Sequence, residues 1–455
     1  MELDMFFTKD KHFYKSLLFL SIPIALQNFI TFAVGLADNI MIGSLGDSAV
    51  SGVYLGNQIQ TLLQVLGGGI EATILVLSAQ YWGKRDTESI RKIVATGMRF
   101  ALGFGALISV VCAIFPEGVL SLFTNDRETV RVGAEYLSVV AYSYVFFCLT
   151  QSLISAMRSV ESPRIGLFVS LASLIIDIAL NYVLIFGKLG FPALGVRGAA
   201  IATLIARIAE TAIILLYVVF IDKRLRFSFV QLLRFDGDIM RDFIKYGAPI
   251  VGGQIVWAAN VFTNSAIMGR LDGEGIITAT GVTNVLHNLA YVVMNGMSGA
   301  VGIIVGKTVG EGREDKIREY ARTVQVLFLT LGVLTGGFIQ LVKKPFISLY
   351  NISASAAAYA EQLINVISVT VIGTCYQAAC LAGLVKSGGD VSFVFKNDAI
   401  FVFLVVIPIS LIAMHLALPP AVVFSCLKCD QILKCFVAVV KINRFDWIKN
   451  LTQKA

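Results

Sequence analysis

The sequence predicts an all-α integral membrane protein with twelve transmembrane helices, arranged as two parallel six-helix bundles. Composition is the first observation behind this fold class. Of the 455 residues, 56% are hydrophobic and 15% are charged, and the mean hydropathy is +0.78. Soluble proteins carry about 25% charged residues, so this chain has too few charges to cover a water-soluble surface. The other two observations are a series of long apolar stretches and an internal repeat.

The apolar stretches predict the individual helices. A helix of about 20 apolar residues crosses the roughly 30 Å hydrocarbon core and pairs its own backbone polar groups. Twelve such stretches follow one another, at residues 17–42, 50–80, 96–115, 133–157, 165–186, 196–221, 244–268, 276–306, 320–341, 358–384, 397–414 and 419–441. The first is too long for a cleavable signal, so we expect it to remain in the mature protein.

The basic residues predict the orientation of the helices. If the N-terminus is cytoplasmic, 27 of the 37 Lys and Arg residues fall on inner segments and seven on outer segments. This bias follows the positive-inside rule and puts both termini in the cytoplasm. The net charge of +7 is spread over many short loops, which does not indicate a nucleic-acid partner. We therefore expect a multi-pass protein of the plasma membrane, with lipid as its surroundings.

The internal repeat predicts the two bundles. Pro23 matches Pro249, and Arg158 matches Lys386; further pairs at 83 and 310 and at 122 and 349 keep the offset between 226 and 228 residues. Six helices per half keep both halves in the same orientation, and two such bundles suit alternating exposure of a central cavity. The predicted organisation is a lobe at 1–221, a basic cytoplasmic linker at 222–243, and a lobe at 244–455 with a short cytoplasmic tail.

A group of polar residues in the first half is the candidate site. Asp38 lies in the outer half of the first helix, Asp177 and Asn181 are one turn apart on the fifth, and Thr203 lies at a comparable depth on the sixth. Insertion of a charged side chain at membrane depth costs about 2.5–3.5 kcal/mol, so its presence there indicates a functional or structural role. The group can carry a proton on a carboxylate or coordinate a small cation such as Na⁺ with its oxygens. Alternatively, Asp38 caps the loop that follows it.

Other intramembrane residues have structural interpretations. Glu71 follows three glycines and is either a functional carboxylate or a hydrogen-bonding group, and Arg207 and Glu210 have the spacing of an ion pair on one helix. Pro23 either kinks the first helix or is tolerated in its first turn. We expect the charges of the last helix, at 428, 430 and 434, to neutralise one another.

Catalytic and metal chemistry is not indicated. The three His residues are scattered, and the Cys-x-x-Cys at 426–429 lies inside an apolar stretch without a second pair. We therefore expect no catalytic residue, no metal site and no cofactor, and no enzymatic activity.

Several motifs together resemble the multidrug and toxic compound extrusion (MATE) family. They are GLADNIMIG at 35–43, AQYWG at 79–83, NYVLIFG at 181–187, GVRGAAIAT at 195–203, VGKTVGEG at 305–312 and WIKNLT at 447–452. Their order and spacing extend over essentially the whole chain. The resemblance implies a 6+6 helix antiporter that exports cationic or amphipathic drugs and toxic compounds in exchange for H⁺ or Na⁺, as a monomer.

The resemblance also assigns residues. Asp38 falls at the family's coupling carboxylate, Asp177 and Asn181 at its fifth-helix pair and Thr203 at its sixth-helix hydroxyl, so these are the predicted cation-coupling residues. Asp38 and Asn181 are also predicted to contact substrate. A common family pattern has Asn before Asp, and here the order is reversed.

The second half departs from one branch of the family. Trp257 and Cys375 stand where the NorM-like branch carries acidic residues, so we expect no cation site there and a closer relation to the DinF-like branch. This absence and the reversed pair favour H⁺ as the coupling ion. The alternative function is a flippase for lipid-linked precursors, a role of relatives in the same superfamily.

Overall fold

The computed structural model describes residues 7–271, 275–350 and 352–452, and this part of the chain is helical throughout apart from short connections. The first half contains α1 (Lys11–Gly43), α2 (Asp47–Gly83), α3 (Thr87–Ile114), α4 (Pro116–Leu120), α5 (Arg127–Val140), α6 (Ser143–Ser159), α7 (Arg164–Phe186) and α8 (Gly195–Leu216). A π-helical turn at Tyr217–Ile221 and a 3-10 helix at Phe229–Leu233 follow.

The second half repeats this series of long helices. It contains α9 (Gly237–Met268), α10 (Ile276–Gly310), α11 (Glu314–Ser348), α12 (Ala354–Gln377), α13 (Val391–Ile400), α14 (Ile407–His415), α15 (Pro420–Leu427) and α16 (Asp430–Arg444). π-helical segments at Ala378–Val385 and Phe401–Val406 continue α12 and α13. The observed fold confirms the predicted all-α class.

Local sequence explains several helix ends. The side chain of Asp86 accepts a hydrogen bond from the Ser89 amide and so begins α3, and Asp126 does the same for α5. α7 ends at Gly187, whose positive φ of 65° favours glycine. A Cβ at Gly187 would also lie 2.6 Å from the backbone nitrogen of Ala193, so glycine is needed for the close turn into the next helix.

Each of the twelve predicted stretches lies within one helix or within consecutive helical segments. Among the described residues, nine helices are long and apolar enough to cross a membrane, and α5 with α6, bent by 51°, makes a tenth. The remaining two are α9, which carries the polar Gln254, Asn260 and Asn264, and the segment α15–α16. The last predicted helix is therefore broken: Lys428 and Cys429 separate its two parts.

The chain forms two compact units. One comprises residues 26–251, here called the first unit, and the other comprises residues 1–25 and 252–455, here called the second unit. Both changes of unit fall inside a long helix that contains proline, Pro23 in α1 and Pro249 in α9. The predicted lobes at 1–221 and 244–455 and the kink at Pro23 stay predictions.

Each unit has its own apolar core. In the first unit the core includes Leu63, Leu137 and Tyr144, from α2, α5 and α6. In the second unit it includes Leu363, Val371 and Phe424, from α12 and α15. The predicted linker is anchored in the first unit, where Arg99 of α3 donates to the backbone oxygens of Leu232 and Gln231, both at 2.9 Å.

Candidate functional site

The first unit contains a polar cavity of about 200 Å³. Five helices, α1, α2, α5, α7 and α8, contribute to its wall. Its carboxylate and guanidinium side chains are Asp38, Asp177, Glu210 and Arg207, and Thr203 also lines it. The structure therefore brings three of the four predicted coupling residues to one wall, although they come from three different helices.

Asn181 connects the two aspartates from behind the cavity wall. Its Nδ2 donates to Asp38 Oδ1 at 2.8 Å and to Asp177 Oδ2 at 3.0 Å. Asp177 and Asn181 are nearly fully buried, at 2% and 1% exposure, whereas Asp38 is half-buried. The second contact follows from the four-residue spacing on α7, while the first joins α1 to α7. One amide thus holds two carboxylates close together.

The second polar atom of the same amide has no partner. Asn181 Oδ1 is buried and accepts no hydrogen bond from the part of the chain that the structure describes. Buried acceptors are almost always satisfied, and two neighbouring carboxylates repel each other unless a positive charge lies between them. A proton on one carboxyl group or a small cation among these oxygens would meet both requirements. The oxygen atoms of the two aspartates and of Asn181 are therefore suited to bind H⁺ or Na⁺.

Arg207 and Glu210 form the ion pair that their spacing predicts. Arg207 Nη1 donates to both carboxylate oxygens of Glu210, at 3.0 and 2.8 Å, and the guanidinium lies 5.1 Å from the centre of the Phe147 ring. Their spacing had suggested a structural pair, but both residues line the cavity with the aspartates. Three carboxylates and one guanidinium line this cavity among the described residues, and Glu210 pairs with the guanidinium, so the cavity keeps an excess of carboxylates.

Glu71 lies outside the lining of this cavity. Its backbone oxygen accepts from Ser155 Oγ at 2.6 Å, and its carboxylate interacts electrostatically with Arg158. Arg158 in turn donates from Nη2 to Gln27 Oε1 at 2.7 Å. Glu71 therefore lies beside Arg158 and apart from the candidate coupling group.

The second unit contains a larger polar cavity of about 490 Å³. Asp398, Lys428, Asp430 and Lys434 line it together with seven side-chain amides. Lys434 Nζ lies 2.9 Å from Asp398 and 3.0 Å from Asp430. The neutralisation expected among the charges of the last helix thus holds for Lys434, but among the described residues Lys428 forms no ion pair.

Of the two acidic residues in this second cavity, Asp430 belongs to the charges expected to pair within the last helix, whereas Asp398 was not singled out from the sequence. Trp257 lines the cavity, whereas Cys375 is fully buried outside its lining. Asp398 lies on α13 and Asp430 at the start of α16. Carboxylates are therefore present in this half at positions other than 257 and 375, and both pair with Lys434. Only the four-residue spacing of Asp430 and Lys434 signalled the arrangement in the sequence.

Comparison with known proteins gives consistent results. The profile of the MatE family matches residues 23–183 and 249–412. A "Probable multidrug resistance protein NorM" of Halalkalibacterium halodurans is 24% identical over 396 residues, covering 87% of this chain and 86% of the relative. A protein of the same name from Rhizobium meliloti is 27% identical over 321 residues, covering 70% and 68%. These names do not support the expected relation to the DinF-like branch.

Solved structures show the same fold. One is described as the "Outward-facing conformation of a multidrug resistance MATE family transporter of the MOP superfamily". It superposes with a TM-score of 0.84 at 18% identity and covers 96% of this chain and 99% of that one. The likeness confirms the predicted architecture of twelve helices in two six-helix halves.

Proposed function

The chain belongs to the MatE family, and on that basis we propose that it exports cationic or amphipathic organic compounds across the plasma membrane in exchange for H⁺ or Na⁺. It acts as a transporter rather than an enzyme, as a monomer with both termini in the cytoplasm. The names of the NorM relatives support a role in multidrug resistance. The excess of Lys and Arg on the segments assigned to the inside supports the orientation.

The contact of Asn181 with both aspartates is the observation that carries this proposal. It joins Asp38 and Asp177 beside a buried acceptor without a partner, at the wall of a cavity with excess carboxylates. Such a group binds a proton or a small cation, and it also attracts a cationic substrate. Asp38 is the half-buried member, so we assign to it the exchange of ion for substrate, while Asp177, Asn181 and Thr203 support it.

Coupling follows if ion and substrate compete for the same carboxylates. A ligand shifts a conformational equilibrium only when its affinity differs between the two states. A bound ion would neutralise Asp38 and release the cationic substrate outside, and loss of the ion inside would restore the site. The flippase alternative has less support, because the candidate coupling group lies at the acidic cavity of the first unit, which repels an anionic lipid headgroup.

Ethidium efflux from proteoliposomes that contain the purified full chain tests the proposal. A pH gradient and a Na⁺ gradient are imposed separately, on wild type and on Asp38→Asn. We expect one of the two gradients to drive ethidium efflux. Under that gradient the efflux rate of Asp38→Asn should be at least tenfold lower than that of wild type. Asp47→Asn is the matched control, because Asp47 is exposed at the start of α2. Unimpaired efflux by Asp38→Asn contradicts the assigned role, and wild type without efflux under either gradient contradicts the export of organic cations.

A further inference from the structure

Three irregular helical segments meet at the cavity of the second unit. α15 and α16 are separated at Lys428 and Cys429, and π-helical segments run over Ala378–Val385 and Phe401–Val406. Each segment contributes to the cavity lining, through Lys428, Leu381 and Val402 among others. π-Helical turns often mark functional sites, and in transporters broken helices line binding sites. The irregular helical segments around this cavity are therefore typical of a binding site rather than of a packing defect.

Lys428 is the ammonium group of this cavity that forms no ion pair among the described residues. Asp430, two positions away along the chain, attracts it electrostatically but lies 3.0 Å from Lys434, which also binds Asp398 at 2.9 Å. The Lys428 ammonium itself lies 5.6 Å from the centre of the Phe424 ring. A lysine at membrane depth is costly unless a partner or water solvates it. The cavity therefore offers a cation to an anionic ligand.

The rest of the lining suits an aromatic, hydrogen-bonding ligand. His287 Nε2 and Asn264 Oδ1 are buried polar atoms for which the described residues supply no partner. The His287 ring stacks on Tyr291 at 6.0 Å between centroids, and Trp257 is 46% exposed. Aromatic rings of a ligand can stack on such side chains. Buried polar atoms without a protein partner are normally hydrogen-bonded to a ligand or to water. At about 490 Å³ the cavity lies in the usual size range of small-molecule sites.

We propose that the second unit's cavity is a binding site for aromatic carboxylates. The carboxylate accepts hydrogen bonds from the Lys428 ammonium, the side-chain amides and His287 add polar contacts, and the ring system packs against Trp257 and Tyr291. The site has the opposite charge preference from the cavity of the first unit. It does not depend on the proposed export, since binding requires no gradient.

Equilibrium dialysis of the detergent-purified full chain with radiolabelled naphthoate tests this site. Naphthamide is the matched probe, because it keeps the ring system and lacks the charge. We expect Lys428→Met to weaken naphthoate binding by about tenfold to a hundredfold, which is the value of a charge-assisted hydrogen bond. Lys428→Arg should retain most of the affinity, and binding of naphthamide should be weak and equal in all three proteins.

Two control variants assign the effect to this cavity. Asp47→Asn removes an exposed charge at the start of α2, and Lys343→Met removes a lysine that pairs with Glu361 at 3.3 Å outside the lining. Both should bind naphthoate as wild type does. Absence of naphthoate binding by wild type, equal affinity of Lys428→Met and wild type, or equal affinity for naphthoate and naphthamide would each overturn the proposal.

Discussion

The cavities of the two units contain the same kinds of charged groups in different proportions. Three carboxylates and one guanidinium line the first cavity, where Arg207 pairs with Glu210. Asn181 donates there to both Asp38 and Asp177. Two carboxylates and two ammonium groups line the second cavity, where Lys434 pairs with both carboxylates and Lys428 forms no ion pair among the described residues. The formal charges therefore leave the first cavity acidic and balance in the second, and the pairing decides which cation of the second cavity is available to a ligand.

The largest expected effect comes from breaking the charge triad of the second cavity. Lys434→Met removes the ammonium that pairs with the half-buried Asp398 and the buried Asp430, and removal of one partner from a buried pair costs about 3–5 kcal/mol of folding free energy. We expect a large fall in the melting temperature of the detergent-purified protein. Lys92→Met is the control, because Lys92 pairs with Glu88 and Asp236 at a partly exposed surface and should cost at most about 1 kcal/mol. Equal melting temperatures of both variants would contradict the importance of the triad.

A smaller effect is expected from the amide of the first cavity. Asn181→Leu removes the donor to both aspartates and should cost about 2–3 kcal/mol of folding free energy, because two hydrogen bonds to charged groups are lost. The measurement is thermal unfolding together with ethidium efflux, which should fall with stability. Asn288→Leu is the matched change in the second cavity, where the amide is exposed in the lining, and we expect a change within about 0.5 kcal/mol. A larger loss of folding free energy in Asn288→Leu than in Asn181→Leu would contradict this prediction.

The smallest effect is expected at a partly exposed pair in the second unit, which gives a reference for the buried ones. Hydrogen bonds from the Lys316 ammonium and the Tyr320 hydroxyl lower the pKa of Asp10 to about 2. A lowered pKa in the folded state stabilises the fold above the ordinary value near 4, and this contribution is lost as the pH falls to about 2. Asp10→Asn should therefore lower stability by less than about 1 kcal/mol at neutral pH.

The pH dependence provides the measurement for Asp10. Melting temperatures of wild type and Asp10→Asn should differ at pH 6 and converge toward pH 2. A difference that persists unchanged at pH 2 would show that the carboxylate charge is not the cause. Asp238→Asn is the control variant, because it changes a carboxylate in the first turn of another helix, α9 of the first unit.

Several elements of the site could be predicted from the sequence because they lie on one helix. Asp177 with Asn181, Arg207 with Glu210, and Asp430 with Lys434 are three or four residues apart, and helix geometry brings such pairs together. The apolar stretches likewise predicted the helices, because only a helix of that length pairs its backbone inside a bilayer. The helices themselves, and the contacts within one helix, could therefore be predicted from the sequence.

The tertiary structure alone decided what happens between helices. The bond from Asn181 to Asp38 spans 143 positions, and the pairing of Lys434 with Asp398 joins the last helix to α13. Such contacts depend on how each helix is rotated about its axis and how closely it packs, and neither quantity has a period in the sequence. For the same reason the break at Lys428, the place of Arg207 in the first cavity and the place of Asp398 in the second were found only in the structure. Sequence placed the charges, and packing decided which of them remain available to a ligand.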